Sequence, residues 1–336
     1  MVRVGVIGLG YWGPNLARNF NAADGVELSA ICDLDERRLS QVAGSYPSAK
    51  KTRSVEEVLT DPDIDAVAIA TPVNTHHPIA KHALNAGKHV LVEKPLSSTV
   101  EMAEELVDLA QSKGLVLMVD HIFAYSAPVR KMKEIYCSGQ PGELFFIDSV
   151  RINLGLFQHD VNVVWDLAPH DLSIVDFLLG RLPKSLSAFG AIHAGNGIED
   201  VAHLNLDFGN GLIANFHVNW LSPVKIRHTI IGGSRKSLVY NDLDPSEPLK
   251  VYDCGIEVKA VDAQERHGLL VGYRSGDVWS PHVDRTEPLR VMAEHFGDCV
   301  ANGKRPITSG EEGLRVVRIL DAAQRSIKAQ GGRITL

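Results

Sequence analysis

A glycine-rich turn and a later acidic residue near the amino terminus have the spacing needed to hold a dinucleotide. Gly8, Gly10 and Gly13 form a G-x-G-x-x-G turn directly after one apolar run, and Asp33 follows the next. The three glycines permit a tight bend, close approach to a pyrophosphate and close packing of the next helix. The positive end of that helix faces the phosphates. A carboxylate at Asp33 accepts hydrogen bonds from ribose hydroxyls and repels a 2′-phosphate, which favours NAD over NADP.

A lysine at the end of another predicted strand is the first candidate catalytic residue. Lys94 lies between Glu93 and Pro95, directly after an apolar run. Because ligands of parallel sheets bind beyond the carboxyl ends of the strands, this amine can donate to a substrate hydroxyl, or serve as a base if it is desolvated. An ordinary surface lysine is the simpler interpretation from composition alone, and the strand-end position favours function.

The expected cofactor contacts come from several strand ends. Arg37 and Arg38 follow Asp33 closely and leave NADP open as an alternative to NAD. The predicted cofactor-binding residues are Gly8, Gly10, Tyr11, Trp12, Gly13, Asp33, Thr71, Pro72, His76, Glu93, Lys94 and His121.

An acid and an imidazole four residues apart form the second candidate catalytic group. If a helix begins near Trp165, Asp166 and His170 lie on one of its faces. Imidazole titrates near neutral pH and suits proton removal from an alcohol, while the carboxylate can bind a hydroxyl or orient the ring. The alternatives are a carboxylate favoured by the helix dipole and a core histidine. Proline is tolerated only near the start of a helix, so Pro169 predicts that the helix begins close to it.

The elements that position these residues change in character near residue 123. Alternating strands and helices come first and predict a doubly wound parallel sheet. Shorter alternating segments follow, with a hairpin signal at Asn210-Gly211, and predict a mainly antiparallel sheet. The predicted strands of the first part are 2–7, 26–32, 66–70, 89–92 and 115–119, and its helices are 13–21, 35–46, 55–60, 78–86 and 100–113.

The predicted fold class is therefore α/β, with a Rossmann domain at 1–122 and an α+β domain at 123–336 for substrate binding and oligomerisation. Later helices are expected near 166–179, 288–302 and 311–329. Because few helices cover the second sheet, we expect a homodimer or homotetramer.

Composition excludes several other classes of protein. The formal net charge is −7 and no basic stripe is present, which argues against nucleic acid or an anionic membrane as partner. The apolar runs are too short to span a bilayer. The four cysteines are widely separated and the histidines lack metal-ligand spacing, so we expect no metal site, no disulfide framework and a cytoplasmic location.

Together these features resemble the glucose–fructose oxidoreductase, inositol dehydrogenase and MocA (Gfo/Idh/MocA) family. The resemblance rests on the glycine fingerprint, the A-G-K-H-V-L-V-E-K-P segment at 86–95, the Asp166–His170 pair and the mixed second domain. It implies NAD(P)-linked oxidation of an alcohol, or reduction of a carbonyl, on a sugar or cyclitol. The family's catalytic lysine, histidine and aspartate map onto Lys94, His170 and Asp166. Ala168-Pro169 depart from the family pattern and imply a stiffer helix entry.

Within the family, residues 151–155 and 165–171 resemble enzymes that oxidise C3 of UDP-N-acetylglucosamine and related UDP-sugars. A diphosphate needs cationic or amide donors, which Arg151, Lys225 and Arg227 can supply. Polar side chains for the sugar are Tyr125, Asn153, Gln158, Asn162 and Trp220. The predicted substrate-binding residues are Lys94, Tyr125, Arg151, Asn153, Asp166, His170 and Lys225.

Three functional hypotheses follow. The first is hydride transfer between a secondary alcohol of a UDP-N-acetylhexosamine and NAD(P), with Lys94 or His170 as the base. The second uses the same residues on a free sugar or an inositol. The third is a non-catalytic, NAD-sensing regulatory protein, because a fold does not fix a function.

Overall fold

The structure is a computed structural model that describes residues 1–155, 161–194, 197–258 and 271–336. The predicted sugar-site residue Gln158 lies outside these ranges. The sequence also predicts a strand at 256–261, and residues 259–261 of it lie outside them too. The chain divides into two compact units, and each draws on separate stretches of sequence. The first contains Met1–Ser126, Leu172–Leu179 and Arg285–Asp321, and the second contains Ala127–Asp171, Gly180–Asp284 and Ala322–Leu336. The division into two domains at residue 122 remains a prediction.

The first unit contains a six-stranded parallel sheet in the order β3-β2-β1-β4-β5-β6. This order confirms the predicted doubly wound sheet. Its strands are β1 (Val2–Ile7), β2 (Val26–Cys32), β3 (Lys50–Thr52), β4 (Ala66–Ile69), β5 (His89–Val92) and β6 (Leu117–Val119). The helices between them are α1 (Gly13–Ala22), α2 (Glu36–Ala43), α3 (Val55–Leu59), α4 (Val73–Asn85) and α5 (Val100–Lys113), and a 3₁₀ turn follows at Ile122–Tyr125.

Local sequence explains where several of these helices begin and end. The side chains of Asp35, Ser54 and Thr99 accept backbone N–H bonds at the starts of α2, α3 and α5. Gly114 ends α5 in the left-handed conformation, which an L residue with a side chain adopts less readily. These caps fix the lengths of the connections, and therefore which residues follow each strand.

The core of the first unit includes a helix from the carboxyl-terminal part of the chain. Helix α8 (Pro288–Asn302) contributes five buried apolar residues to the cluster around α1 and β1. Phe296 packs edge to face on Phe20, with 6.0 Å between the ring centroids. The core of the first unit therefore includes residues from Arg285–Asp321, far along the chain from the first sheet.

The second unit contains a nine-stranded, mainly antiparallel sheet, as predicted. Its order is β16-β13-β12-β11-β7-β10-β9-β8-β17, and β7 and β10 are its parallel neighbours. The strands are β7 (Leu144–Leu154), β8 (Ser185–Ala191), β9 (Val201–Gly209), β10 (Leu212–Asn219), β11 (Leu221–Gly233), β12 (Ser237–Asn241), β13 (Leu249–Tyr252), β16 (Val278–Trp279) and β17 (Ile334–Thr335). A separate two-stranded sheet pairs β14 (Gly255–Val258) with β15 (Val271–Arg274). The remaining helices are α6 (Ala127–Cys137), α7 (Val163–Leu179) and α9 (Gly310–Lys328).

One face of the large sheet carries exposed apolar side chains. Asn210 and Gly211 form the predicted hairpin turn with positive φ angles. Strand pairing places Phe189, Ile213 and Ile226 on the same face, and all three are exposed. An exposed apolar sheet face is the feature from which we predict a homo-oligomer. The homo-oligomer remains a prediction.

Helix α7 begins earlier than the sequence suggested. The Asn162 side chain accepts a hydrogen bond from the Trp165 N–H at 3.1 Å and caps a helix that starts at Val163. Pro169 therefore lies inside the helix and not in its first turn, which corrects the expectation drawn from proline. Pro169 has no backbone N–H to donate within the helix. Its neighbours Ala168 and Leu172 are buried, and this packing helps to hold the helix there.

Two absences hold within the described residues. No helix there is both long and apolar enough to cross a membrane. The same ranges contain no group of three or more histidine, cysteine or acidic residues that could hold a metal ion. Cys32, Cys137, Cys254 and Cys299 are free.

A buried ion pair between Arg151 and Asp171 gives a stability prediction. Replacing Asp171 by Asn should lower the free energy of unfolding by about 3–5 kcal/mol, because the buried Arg151 then loses the carboxylate that accepts two of its hydrogen bonds. Urea denaturation measures the loss. The control is Glu134→Ala, which breaks the exposed Lys131–Glu134 pair and should cost less than about 1 kcal/mol. Equal losses in the two variants would contradict a structural role for the buried pair.

Candidate functional site

The glycine turn in the first unit has the geometry of a phosphate cradle. Gly8 has a φ of 93°, and a Cβ there would lie 2.6 Å from the Ala70 carbonyl oxygen. A Cβ on Gly13 would collide with the Gly8 carbonyl oxygen. At Gly10 an added Cβ meets only Arg38 Nη1, at 3.8 Å. The backbone is therefore tightly packed behind the turn and open at Gly10, which is what a pyrophosphate requires.

Asp33 is held rigidly next to this turn. Its Oδ2 accepts a hydrogen bond from the Leu9 N–H at 2.6 Å, and its Oδ1 accepts one from the Asp35 N–H at 2.8 Å. A carboxylate has about four acceptor positions, so two remain for the hydroxyls of a ribose. Arg38 lies on the same side, near Gly10 and within 3.8 Å of Asp35. The geometry suits an adenosine ribose, with one guanidinium close to the phosphates.

The predicted contacts at 71–76 divide between exposed and internal positions. Thr71 and Pro72 precede α4, and Pro72 is exposed. His76 is buried, and its ring nitrogens lie 2.8 Å from the Thr71 carbonyl oxygen and 2.9 Å from that of Pro95. His76 therefore ties the start of α4 to the segment that contains Lys94. Tyr11, by contrast, projects into solvent.

The A-G-K-H-V segment at 86–90 contributes hydrogen bonds and packing beneath β5. Lys88 is buried and donates to the carbonyl oxygens of Asp61 and Ile64 at 2.6 and 2.7 Å. His89 Nδ1 accepts the N–H of Val116 at 2.9 Å. These bonds hold β5 in register, so that the residues after it reach the carboxyl edge of the sheet.

Lys94 lies at that edge next to two buried carboxyls. The Lys94–Pro95 peptide is cis, and the Lys94 N–H donates to Glu93 Oε2 at 3.0 Å. Burial, and then the charge of Asp120, raise the pKa of Glu93 well above its usual value. Burial also raises the pKa of Asp120. Burial and the positive charge of Lys94 lower the pKa of His121 to about 3, so this imidazole is neutral.

Asp120 directly follows the strand predicted at 115–119, so the sequence places it at the ligand-binding edge, but it is not among the predicted cofactor-binding residues. It follows β6 as Glu93 follows β5, and its Oδ2 accepts the indole N–H of Trp12 at 3.1 Å. The available signal was its position, because every residue directly after a parallel strand faces the ligand-binding edge. Among the described residues, buried atoms without a hydrogen-bond partner include Glu93 Oε1, Asp120 Oδ1 and His121 Nε2. These orphaned atoms and the open turn at Gly10 fit a nicotinamide dinucleotide along this edge.

The acid–imidazole pair lies in the second unit, on α7. Asp166 and His170 are half-buried and one helical turn apart, so they share a face, as predicted from their spacing. Trp220, which is almost fully buried, donates its indole N–H to Asp166 Oδ2 at 3.1 Å. This bond fixes the carboxylate and leaves the pair partly accessible. The arrangement suits binding a hydroxyl and moving its proton.

Other predicted substrate residues have internal partners. Arg151 is 3% exposed and forms two hydrogen bonds to Asp171, at 2.7 and 2.9 Å. The Tyr125 hydroxyl is buried 3.1 Å from Thr308 Oγ1. Asn162 caps α7 and also bonds Glu199 and Gln324 at 2.6 Å. The groups with open surface are Asn153, which is half-buried, and Lys225, which is exposed, while Arg227 pairs with Asp242 at 2.9 Å.

Lys94 belongs to the first compact unit, and Asp166 and His170 belong to the second. Within the first unit the structure gathers the candidate cofactor residues at one sheet edge, and within the second unit it places the acid and the imidazole on one helix face. Their action on one substrate remains a prediction.

The turn geometry predicts the effect of a single methyl group. Gly13→Ala should weaken NADH binding by at least tenfold, because its Cβ displaces the Gly8 carbonyl and with it the phosphate-binding backbone. The control is Gly44→Ala, where no atom lies within 4 Å of the new methyl and φ is −61°. Fluorescence titration with NADH measures both variants. Equal affinities would contradict the proposed cradle.

Comparison with known proteins identifies similar sequences and a matching family. The family model described as "Oxidoreductase family, NAD-binding Rossmann fold" matches residues 2–121, and the "GFO/IDH/MocA C-terminal domain" model matches 129–239. The uncharacterized oxidoreductase YdgJ of Escherichia coli is 33% identical over 73% of this chain and 73% of its own length. The scyllo-inositol 2-dehydrogenase (NADP(+)) of Bacillus subtilis is 26% identical over 97% and 94%.

A solved structure is also similar over nearly the whole chain. UDP-N-acetylglucosamine 3-dehydrogenase of Acidithiobacillus ferrooxidans superposes with a TM-score of 0.81, covering 97% of this chain and 98% of that one at 25% identity. In the sequence comparison the same enzyme is 31% identical over 64% of this chain and 66% of its own. With the glycine cradle and the two sheets, these matches show that the chain belongs to the Gfo/Idh/MocA family of NAD(P)-binding oxidoreductases.

Proposed function

We propose that this oxidoreductase transfers a hydride between a secondary alcohol of a sugar and NAD. The observation that carries the proposal is the half-buried Asp166–His170 face fixed by Trp220. A general base and a hydroxyl-binding carboxylate on one helix turn are what oxidation of a polyhydroxylated substrate needs, in a chain that also has a dinucleotide cradle. An NAD-sensing protein without catalysis has no need of such a pair.

In this mechanism the bound cofactor supplies the hydride acceptor. His170 takes the proton of the reacting hydroxyl, and Lys94 donates a hydrogen bond to the same oxygen and stabilises its developing negative charge. Asp166 binds a neighbouring hydroxyl or orients the imidazole, and Trp220 holds Asp166 in place. The pH profiles of the variants described below distinguish this assignment of roles from one in which Lys94 is the base.

For the substrate we propose a UDP-N-acetylhexosamine oxidised at C3. Support comes from the similarity to UDP-N-acetylglucosamine 3-dehydrogenase and from the exposed cation Lys225, which can meet a diphosphate. The second candidate is a free sugar or inositol. It is favoured by the Arg151–Asp171 ion pair, because Arg151 is then occupied and the diphosphate loses one of its expected donors.

We propose NAD as the preferred cofactor, since both oxygens of Asp33 are fixed towards the ribose position and repel a 2′-phosphate. Arg38 near Gly10 is the group that would admit NADP.

A direct assay tests the proposed reaction. UDP-N-acetylglucosamine and myo-inositol are offered separately, each with NAD and with NADP, and the absorbance of the reduced cofactor is followed. We expect turnover with the UDP-sugar and NAD. Turnover with inositol alone would retain the mechanism and remove the diphosphate site. Binding of NADH without oxidation or reduction of any sugar tried would favour the sensor.

Substitutions at the two candidate catalytic residues test their roles. Lys94→Met and His170→Gln should each lower kcat by about 10²–10⁴-fold, the usual contribution of a positioned acid or base, with a much smaller change in NADH affinity. Because a general base acts in its deprotonated form, any rise of alcohol oxidation with pH should be lost in His170→Gln and kept in Lys94→Met. The control is His82→Gln, an exposed histidine on α4. Near-normal turnover of His170→Gln would exclude His170 as the base.

A further inference from the structure

Two neighbouring carboxyl groups end adjacent parallel strands of the first sheet. Val92 on β5 pairs with Val119 on β6, so Glu93 and Asp120 occupy the next position of the ladder. The Asp120 N–H donates to the Val92 carbonyl oxygen at 2.8 Å. Glu93 is 9% exposed and Asp120 is 2% exposed, and the two side chains are within hydrogen-bonding reach of each other. They form a buried acid pair at the ligand-binding edge.

The hydrogen bonds of this acid pair leave room for one proton. Glu93 Oε2 accepts the Lys94 N–H and Asp120 Oδ2 accepts the Trp12 indole N–H. Among the described residues, no donor reaches Glu93 Oε1 or Asp120 Oδ1. Two adjacent buried carboxylates repel each other strongly, whereas one proton between them removes the repulsion and supplies the missing donor. The raised pKa values of both groups agree with a pair that holds one proton.

Lys94 and several neutral side chains surround the acid pair. Lys94 is the cation that acts on both carboxyls. His121, which follows Asp120, is neutral because its pKa is about 3. Tyr125 on the 3₁₀ turn faces Asp120, and burial, the first of several causes, raises its pKa far above its usual value. From α8, His295 packs on the Tyr125 ring, and Cys299 has a pKa raised by burial to about 11. One Lys94 charge therefore balances one carboxylate.

Strand order places this acid pair at the nicotinamide end of the cofactor edge. The turn after β1 and Asp33 after β2 serve the phosphates and the adenosine, so the other half of a dinucleotide extends along β4, β5 and β6. The ring of an oxidised cofactor carries a positive charge, and the ring of a reduced cofactor does not. This inference rests on the proposed use of a nicotinamide cofactor.

We propose that the Glu93–Asp120 acid pair carries one proton in the free enzyme and releases it to solvent when the oxidised, cationic cofactor binds. The leaving proton comes from the O–H bond of one carboxyl, and the second carboxylate so formed balances the charge of the ring. A neutral, reduced ring leaves the proton in place. After hydride transfer the pair takes a proton back from solvent, so charge at this edge is conserved through the reaction.

The sign of the pH dependence follows from this release. Binding that releases a proton tightens as pH rises, by up to tenfold in the dissociation constant per pH unit. We expect this slope for NAD⁺ below the pH at which the free pair loses its proton. NADH and ADP-ribose, which lack the positive ring, should bind with little dependence on pH over the same range.

Calorimetry on the full chain tests the proposal without catalysis. NAD⁺, NADH and ADP-ribose are titrated at one pH in two buffers that differ in ionisation enthalpy, which counts the protons exchanged. We expect release of up to one proton with NAD⁺ and almost none with the other two. Equal proton counts for NAD⁺ and NADH would overturn the proposal while leaving the cofactor site intact. Failure of all three ligands to bind would overturn the cofactor assignment, and this inference with it.

A matched pair of variants assigns the proton to these side chains. Glu93→Gln leaves Asp120 as a lone carboxylate beside Lys94, so release with NAD⁺ should be lost and its affinity should become flat with pH. The control is Glu27→Gln, which removes an exposed carboxylate near the amino end of β2 and should release as many protons as the parent. An unchanged count in Glu93→Gln would show that the proton comes from another group.

Discussion

The structure of the first unit depends on one constraint, that six parallel strands place all their carboxyl ends at one edge. Residues far apart in sequence thereby become neighbours, since Gly8 follows β1, Asp33 follows β2, Glu93 follows β5 and Asp120 follows β6. The steric contact between Gly13 and the Gly8 carbonyl sets how closely α1 approaches β1. The edge then presents backbone donors after β1 and the Asp33 carboxylate after β2, which are the groups that bind the pyrophosphate and the ribose of a dinucleotide.

Many polar residues that resemble a site in sequence serve the scaffold in space. His76 joins the start of α4 to Pro95, and Lys88 satisfies two carbonyl oxygens under β5. Asn162 caps α7, and Arg151 is paired inside the second unit. Each of these groups removes a cost of burying a polar atom. These groups fix the elements that carry the candidate residues Lys94, Asp166 and His170.

Sequence predicted what depends on local pattern and failed where distant partners decide. The bounds of β1, β2 and α5 were predicted to the residue, because apolar runs and caps are local. The start of α7 was wrong, because Asn162 outweighed the signal from Pro169. The Arg151–Asp171 pair and the proximity of Glu93 to Asp120 depend on strand and helix packing, which no spacing in the sequence expresses. The residue types of the candidate site could therefore be predicted from the sequence, but their hydrogen-bond and ion-pair partners could not.

The protein buries carboxyl groups in two physically different ways. Asp171 meets a guanidinium in fork geometry, with two hydrogen bonds from Arg151. For Glu93 and Asp120, Lys94 is the compensating cation that the described residues supply, and in our proposal a proton neutralises one of the two carboxyls. A guanidinium cannot leave in response to a ligand, whereas a proton can. The difference explains why the first arrangement suits a fixed scaffold, and why the second suits the edge where a cofactor changes charge between its two redox states.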